Sequence, residues 1–93
     1  MEDIKKAVVT VLGYDQKGII ARVSNLLYKN DVNIMDISQT IISGLFNMVL
    51  VADITSPGCD FEKVSQDLAE LGKDLGIQIR IQRSEIFEAM HEV

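Results

Sequence analysis

The pattern of apolar and polar residues changes its period several times along the chain, and each change predicts a new element. An apolar, mostly β-branched run bounded by glycine predicts a buried strand from Lys5 to Gly13. Apolar residues then recur every three or four positions, which predicts an amphipathic helix from Gly18 to about Asn30. The first third of the chain is therefore predicted to form a strand followed by a helix.

Residues 32–43 alternate between apolar and polar side chains, which predicts a second strand with one buried face. Three apolar residues fall on that face: Met35, Ile37 and Ile41. Ser43-Gly44 supplies a turn, and residues 45–54 form another apolar run. The second and third strands are therefore expected to form an antiparallel hairpin.

A second helix and a fourth strand follow the break at Ser56-Pro57-Gly58. Asp60 is the predicted N-cap of the helix, and the apolar spacing continues to Gly76, the predicted C-cap. Residues 77–82 alternate strictly, which predicts a strand with one buried face. A short tail helix is expected over about 85–92, with three apolar residues on one side: Ile86, Phe87 and Met90.

The predicted order is strand, helix, strand, strand, helix, strand, in two similar halves without a linker. Right-handed crossovers place both helices on one face of a four-stranded antiparallel sheet. The expected fold is therefore an α+β, ferredoxin-like βαββαβ sandwich with a short C-terminal helix, as a single domain over residues 1–93. This architecture carries many unrelated functions, so function has to be argued from the site.

Composition and charge exclude several kinds of partner. The formal net charge of -5 argues against nucleic acid and anionic lipid, which are recognised by clustered Lys and Arg. The chain has neither a signal-like segment nor an apolar run long enough to span a membrane, so a cytoplasmic protein is expected. With 47% hydrophobic residues in 93 positions, the chain has a thin core, and further burial in an oligomer is expected.

Few residues suggest catalysis or metal binding. Cys59 is the only cysteine, which excludes an internal disulfide or a C-x-x-C site. His91 is the only histidine and lies near the C-terminus, away from any nucleophile and acid that would complete a catalytic set. Asp15 and Asp36 are a conceivable acid/base pair, although capping of the first helix is the favoured interpretation of Asp15. We therefore expect a non-enzymatic protein with neither cofactor nor metal.

Residues 13–19 read GYDQKGI and predict a strand-to-helix turn whose glycines leave the backbone open. The spacing of the two glycines matches the first half of a nucleotide phosphate loop. The Lys and Ser or Thr of the second half are replaced by Ile19-Ile20, so nucleoside triphosphate binding is excluded. Another ligand at this helix N-terminus remains open.

The same loop carries a resemblance that extends over the whole chain. Residues 13–23 (G-x-D-x-x-G-I-I-A-x-V) and 31–34 (DVNI) resemble the ACT domain, the small-molecule sensor of amino-acid metabolism. Residues 36–39 (DISQ) and 86–90 (IFEAM) are further similar to stand-alone single-ACT proteins of bacteria and archaea, relatives of the glycine-cleavage regulator. The resemblance implies a regulatory module that binds a small ligand, in the first place an amino acid.

Five residues are candidates for contact with that ligand. Gly18 lets a carboxylate approach the N-terminus of the helix, where the N–H groups of Gly18 and Ile19 are unpaired. The Asn33 amide both donates and accepts hydrogen bonds, and Asp15 suits an ammonium group. Asp36 is the weaker candidate, because three residues beyond Asn33 it falls on the opposite face of a regular strand unless a bulge intervenes.

Structural roles are the alternatives at these positions. Gly18 would permit close packing of the helix against a strand, and Asn33 would close the helix-to-strand turn. Five residues are interpreted as core whatever the function: Ile19, Ile20, Val23, Met35 and Met48.

The resemblance also implies an assembly. In ACT domains the first loop of one chain commonly faces the second strand of its neighbour, and two sheets join side by side into one of eight strands. A homodimer with ligands at the seam is therefore expected. The 93 residues contain no attached enzyme or DNA-binding domain, so an unknown protein partner would have to respond to the ligand. The alternative is a ligand-free protein-interaction module with an ACT-like fold.

Overall fold

The computed structural model describes residues 4–84 and contains four strands and two helices in the predicted order. The strands are β1 (Lys6–Tyr14), β2 (Asn33–Ile42), β3 (Leu45–Asp53) and β4 (Gln78–Arg83), and the helices are α1 (Ile19–Lys29) and α2 (Phe61–Leu75). Each boundary agrees with the sequence-based expectation to within one or two residues. The predicted tail helix over 85–92 lies outside the described residues.

The four strands form one antiparallel sheet in the order β2-β3-β1-β4. Both helices pack on one face of it, so the predicted α+β ferredoxin-like fold is confirmed. We call the covered side the helix face and the other side the open face. On β1, Ala7, Val9 and Val11 lie on the helix face and are at most 1% exposed, whereas Thr10 and Leu12 lie on the open face.

Strand β2 contains a bulge at Met35. Asn33 pairs with Asp53, but Asp36 pairs with Val51, two positions along β3 rather than three. One residue of β2 is therefore unpaired, and the strand changes its phase there. Beyond the bulge, Asp36 returns to the open face on which Asn33 lies.

The expectation that one face of β2 is buried is wrong. Ile37 and Ile41 do lie on the helix face, opposite the buried Leu50 and Phe46, but they are 42% and 54% exposed. The reason is helix placement: α2 packs on the other edge strand, β4, and buries its Ile79 and Ile81, whereas neither helix covers β2 to the same extent. Met35 is likewise 44% exposed, contrary to the core interpretation, whereas Met48 on β3 is confirmed as core at 1%.

Glycines and caps explain where the second helix begins and ends. Asp60 accepts hydrogen bonds from the backbone N–H groups of Glu62 and Lys63, as predicted for an N-cap. Gly76 ends α2 with φ of 69°, the left-handed conformation that favours glycine at this position. Gly13 serves packing, because a Cβ atom there would overlap the side chain of Ile77.

Asn30 joins the end of α1 to α2 and is 7% exposed. Its Nδ2 donates to the Leu26 carbonyl at 2.9 Å and to Asp67 Oδ2 at 3.2 Å. Lys63 Nζ donates to the same Asp67 oxygen at 2.8 Å. These hydrogen bonds from Lys63 and Asn30 hold the pKa of the Asp67 carboxyl below its ordinary value.

Candidate functional site

The first loop, residues 15–18, is fixed by contacts that the sequence did not reveal. The Asp15 backbone N–H donates to the Gly44 carbonyl in the β2–β3 turn at 2.9 Å. Gln16 Nε2 donates to the Leu75 carbonyl at the end of α2, also at 2.9 Å. Residues 16 and 75 are far apart in the chain, so no local pattern could have indicated this contact. The loop is thereby attached to two other parts of the fold.

Gly18 is the N-cap residue of α1 and has φ of 87°. A Cβ atom at this position would meet no atom within 4 Å, so close helix-to-strand packing is not the reason for glycine here. The reasons that remain are the left-handed backbone and the free approach to the helix end. No side chain caps this N-terminus and the first turn has no acidic residue, in contrast to α2. The start of α1 therefore presents backbone donors and a positive dipole end.

Asp15 is exposed and does not cap α1, so the capping interpretation is wrong. Its backbone is held by Gly44, which leaves the carboxylate at the surface of the loop. The side chain of Ile19 is 2% exposed and belongs to the core, as expected, so only its backbone N–H is available to a ligand. Ile20 is 37% exposed, and its assignment to the core is wrong.

Asn33 is the exposed first residue of β2. It is not needed to close the preceding turn, because Asp31 takes a left-handed φ of 63° and the Val32 N–H donates to the Leu27 carbonyl at 2.9 Å. Its neighbour across the ladder is Asp53. An open depression of about 270 Å³ adjoins Asn33 and is also lined by Tyr28, Asp31, Val32, Asp53 and Ser56.

Asp36 lies on the same face as Asn33, because the bulge on which this depended is present. The bulge at Met35 returns it to the face of Asn33. Its Oδ1 accepts the Ile37 backbone N–H at 2.9 Å, next to the bulge. Asp53 is a further acidic group on this face, and its pKa is lowered by hydrogen bonds from the side chain and the backbone of Thr55. Asn33 therefore has an ionised carboxylate beside it, a neighbour that only the strand register could reveal.

The five predicted residues fall into two groups at opposite ends of the sheet. Asn33 aligns with Asp53 and Lys6, whereas the first loop follows Tyr14, which aligns with Leu45 at the other end. Eight strand positions separate these ends, or about 26 Å at 3.3 Å per residue. The groups also differ in layer, since Asn33 and Asp36 point to the open face while α1 lies on the helix face. One chain does not bring them together.

The same separation excludes an acid/base pair of Asp15 and Asp36 within one chain. Val8, which pairs with the partner of Asp36, lies six positions along β1 from Tyr14, or roughly 20 Å. Two carboxylates that share one catalytic event lie within about 10 Å of each other. Within residues 4–84, there is also no group of three or more His, Cys, Asp or Glu residues that could hold a metal ion.

A cavity of about 660 Å³ is lined by none of the five predicted residues. Its lining includes Lys5, Cys59, Phe61 and Arg83, whose guanidinium lies 4.8 Å from the centre of the Phe61 ring. Burial raises the pKa of the Cys59 thiol, and nearby carboxylates raise it further, so this thiol is a poor nucleophile at neutral pH. We assign no ligand to this cavity.

The family follows from comparison with known proteins. The sequence profile of the ACT domain matches residues 5–82. The chain belongs to the ACT domain family. ACT domains are regulatory modules that bind small ligands, and the resemblance seen in the sequence is confirmed.

Individual relatives agree with this assignment. This ACT domain is 48% identical over 90 residues to a UPF0237 protein of Bifidobacterium longum. The match covers 97% of this chain and 100% of the relative. An ACT domain protein from Streptococcus pneumoniae superposes with a TM-score of 0.79 at 37% identity, covering 96% of this chain and 100% of that one. A candidate glycine cleavage system transcriptional repressor matches with a TM-score of 0.77 over 89% of this chain and 47% of its own. Its identity of 23% makes this last likeness one of fold.

No helix within residues 4–84 combines the length and apolar character needed to cross a membrane.

Proposed function

We propose that this ACT domain is a non-enzymatic regulatory module that binds a small amino acid at the seam of a homodimer. The observation that carries the proposal is the division of the candidate residues between the two ends of β2, an edge strand. Asn33 and Asp36 lie near its start. Its end is followed by the turn whose Gly44 carbonyl accepts a hydrogen bond from Asp15 of the first loop. Neither group forms a site by itself.

A twofold axis beside β2 would unite the two groups. When two copies of an edge strand pair in antiparallel fashion, the start of each lies next to the end of the other. Asn33 and Asp36 of one copy would then adjoin Asp15 and Gly18 of the second copy. A molecule at the seam can reach side chains of either face, because the edge is where the two faces meet.

The apolar surface along β2 supports pairing at this edge. Ile37 and Ile41 are exposed on its helix face, Met35 is exposed at the bulge, and Ile20 on α1 is partly exposed. Burying an isoleucine side chain fully is worth roughly 2 kcal/mol, so covering several of them contributes substantially to association. These exposed residues are unusual for a strand that faces only solvent, but ordinary for an interface.

The charges of the two groups suit the two ends of an amino acid. The uncapped N-terminus of α1 offers N–H donors to a carboxylate, and Gly18 leaves the approach open. The carboxylates of Asp36 and Asp53 beside Asn33, together with Asp15, offer acceptors for an ammonium group. Both charges would be matched without any residue of catalytic type.

The proposed output is a change in assembly or in docking of a partner protein. A ligand can shift such an equilibrium only by its difference in affinity for the two states. The alternative, a protein-interaction module without a ligand, is favoured by the same exposed apolar residues on β2 and predicts docking that no metabolite changes.

A thermal-shift screen of the purified chain against the twenty amino acids tests the proposal. Binding to the folded state raises the melting temperature, by an amount that corresponds to about 2.7 kcal/mol at a ligand concentration of 100 Kd. We expect a rise for one or two amino acids, which Asn33→Ala abolishes while the protein stays folded. Gln82→Ala on β4 is the matched control and should respond as the wild type does. Silence of the wild type toward all twenty would refute ligand binding.

A further inference from the structure

A second apolar surface lies on the open face, away from the edge used above. It consists of five residues at the turn end of β1, β2 and β3: Leu12, Tyr14, Ile42, Leu45 and Val49, which are 41–75% exposed. Tyr14 pairs with Leu45, and Leu45 pairs with Ile42. Leu12 and Val49 line one depression together with Asn47, which lies between Leu45 and Val49 on β3. We call this surface the turn-end patch.

The turn-end patch contains no charge, although the chain carries 14 acidic residues and a net charge of -5. Its neighbours on the open face are the neutral residues Thr10, Thr40 and Asn47 and one cation, Arg80, which pairs with Thr10. The acids of this face, Asp36 and Asp53, lie toward the other end of the sheet. An apolar centre that lacks charge, includes a tyrosine and has a polar rim is the composition of a protein interface.

We infer that a second copy of this chain covers the turn-end patch, with sheet packed against sheet. Flat apolar sheet faces pack on one another at about 10 Å, and the described chain has one sheet with one uncovered face. Two acidic copies repel each other wherever their acids meet, so a neutral patch is where self-association costs least. The contact is thus between identical surfaces related by a twofold axis.

The size of the face bears on the assembly. Four strands spaced about 4.8 Å apart and about nine residues long give a face of roughly 500 Å². Stacking two single chains would therefore cover roughly 1,000 Å² in total, the lower limit for a specific interface. Two copies joined along β2 double this to roughly 2,000 Å², an ordinary interface size. The inference rests on the side-by-side dimer proposed above to this extent, and together the two contacts close a tetramer.

The patch is connected to the candidate ligand site through adjacent residues. Tyr14 directly precedes Asp15 of the first loop, and Ile42 precedes the turn whose Gly44 carbonyl holds Asp15. Stacking would restrain both segments. Whatever orders the first loop is therefore expected to favour stacking, and the tetramer would be an output that needs no further domain.

Light scattering coupled to size-exclusion chromatography of the full chain tests the inference. We expect a tetramer for the wild type and a dimer for Val49→Lys and for Tyr14→Lys, which place a charge in the patch at exposed positions. Gln66→Lys puts the same charge on the exposed surface of α2, away from the open face, and should remain a tetramer. Circular dichroism establishes that each variant is folded.

Ile37→Asp separates this inference from the preceding proposal, because it acts at the β2 edge. Ile37→Asp alone should leave a dimer stacked through the turn-end patch. The double variant with Val49→Lys should be a monomer. A wild-type dimer whose mass neither patch variant changes would overturn the inference, since residues 85–93 or another protein would then be the cover. A tetramer that Val49→Lys dissociates, in a chain that binds no amino acid, would retain the inference and remove the ligand proposal.

Discussion

Gly18→Ala is the sharpest test of the candidate site, because the structure separates its effect on stability from its effect on a ligand. Gly18 has φ of 87° and ψ of 4°, and an added Cβ would lie in open space. The left-handed conformation costs a residue with a Cβ about 1–2 kcal/mol. Alanine also stiffens the unfolded chain, which offsets about 0.4–1 kcal/mol of that cost. A net loss of about 1 kcal/mol in the free energy of unfolding follows.

This loss is small enough to leave the protein folded. For a domain of this size, 1 kcal/mol lowers the melting temperature by roughly 4–8 °C. Thermal unfolding followed by circular dichroism, with and without the amino acid found in the screen, measures both effects. The ligand should no longer raise the melting temperature, because the new methyl group occupies the approach to the N-terminus of α1. Valine is a poorer choice, since a β-branched residue tolerates a positive φ worst.

Gly76→Ala is the matched control. Gly76 also has a positive φ, 69°, and an added Cβ there would likewise meet nothing within 4 Å. It should lose a similar amount of stability and keep the full response to the ligand. The reasoning is refuted if Gly18→Ala responds to the ligand as the control does. A loss above roughly 3 kcal/mol for Gly18→Ala would contradict the open space at its Cβ.

Three further predictions concern the fold. Ser43→Asn should raise the free energy of unfolding by about 0.5 kcal/mol in urea, because φ at Ser43 is 51° and asparagine tolerates that conformation better; an unchanged midpoint would contradict this. Gly13→Ala should lower it by about 2 kcal/mol, since the new methyl group overlaps Ile77, and a loss as small as that of Gly18→Ala would count against the packing role. The pKa of Asp67 is lowered from 3.8, mainly by the hydrogen bond from Lys63. The ionised carboxylate therefore stabilises the folded state fully well above pH 3.8, and this stabilisation is lost as the pH falls below that value. Asp67→Asn should remove that part of the pH dependence of unfolding, and an unaltered profile would refute it.

Much of the fold could be read from local patterns. Strict alternation, three-and-four spacing and the caps at Asp60 and Gly76 depend on residues near one another in the chain, and each predicted its element correctly. The family motif over residues 13–23 is local as well, and it pointed to the ACT domain before any contact was known.

The site was less predictable because its properties depend on partners distant in sequence. Periodicity correctly placed Ile37 on the helix face, but could not reveal that the helices leave this edge of the sheet uncovered. Asp36 lies on the open face because of the bulge at Met35, and that bulge is a property of the pairing between β2 and β3. The Gln16 side chain donates a hydrogen bond to the Leu75 carbonyl, 59 residues away in the chain. The residues next to Gln16 in the sequence do not indicate this contact.

Gly13 and Gly18 show the division most clearly. The sequence alone predicted that both glycines lie in a turn between a strand and a helix, whereas Gly13 is part of β1. Tertiary structure assigned them different roles, because the side chain of Ile77 fills the space at Gly13 while the space at Gly18 is empty. It also separated the first loop from Asn33 by the length of the sheet. Local sequence determines which elements form, since their periods and caps are short-range, whereas the distances between their ends are set by long-range strand pairing.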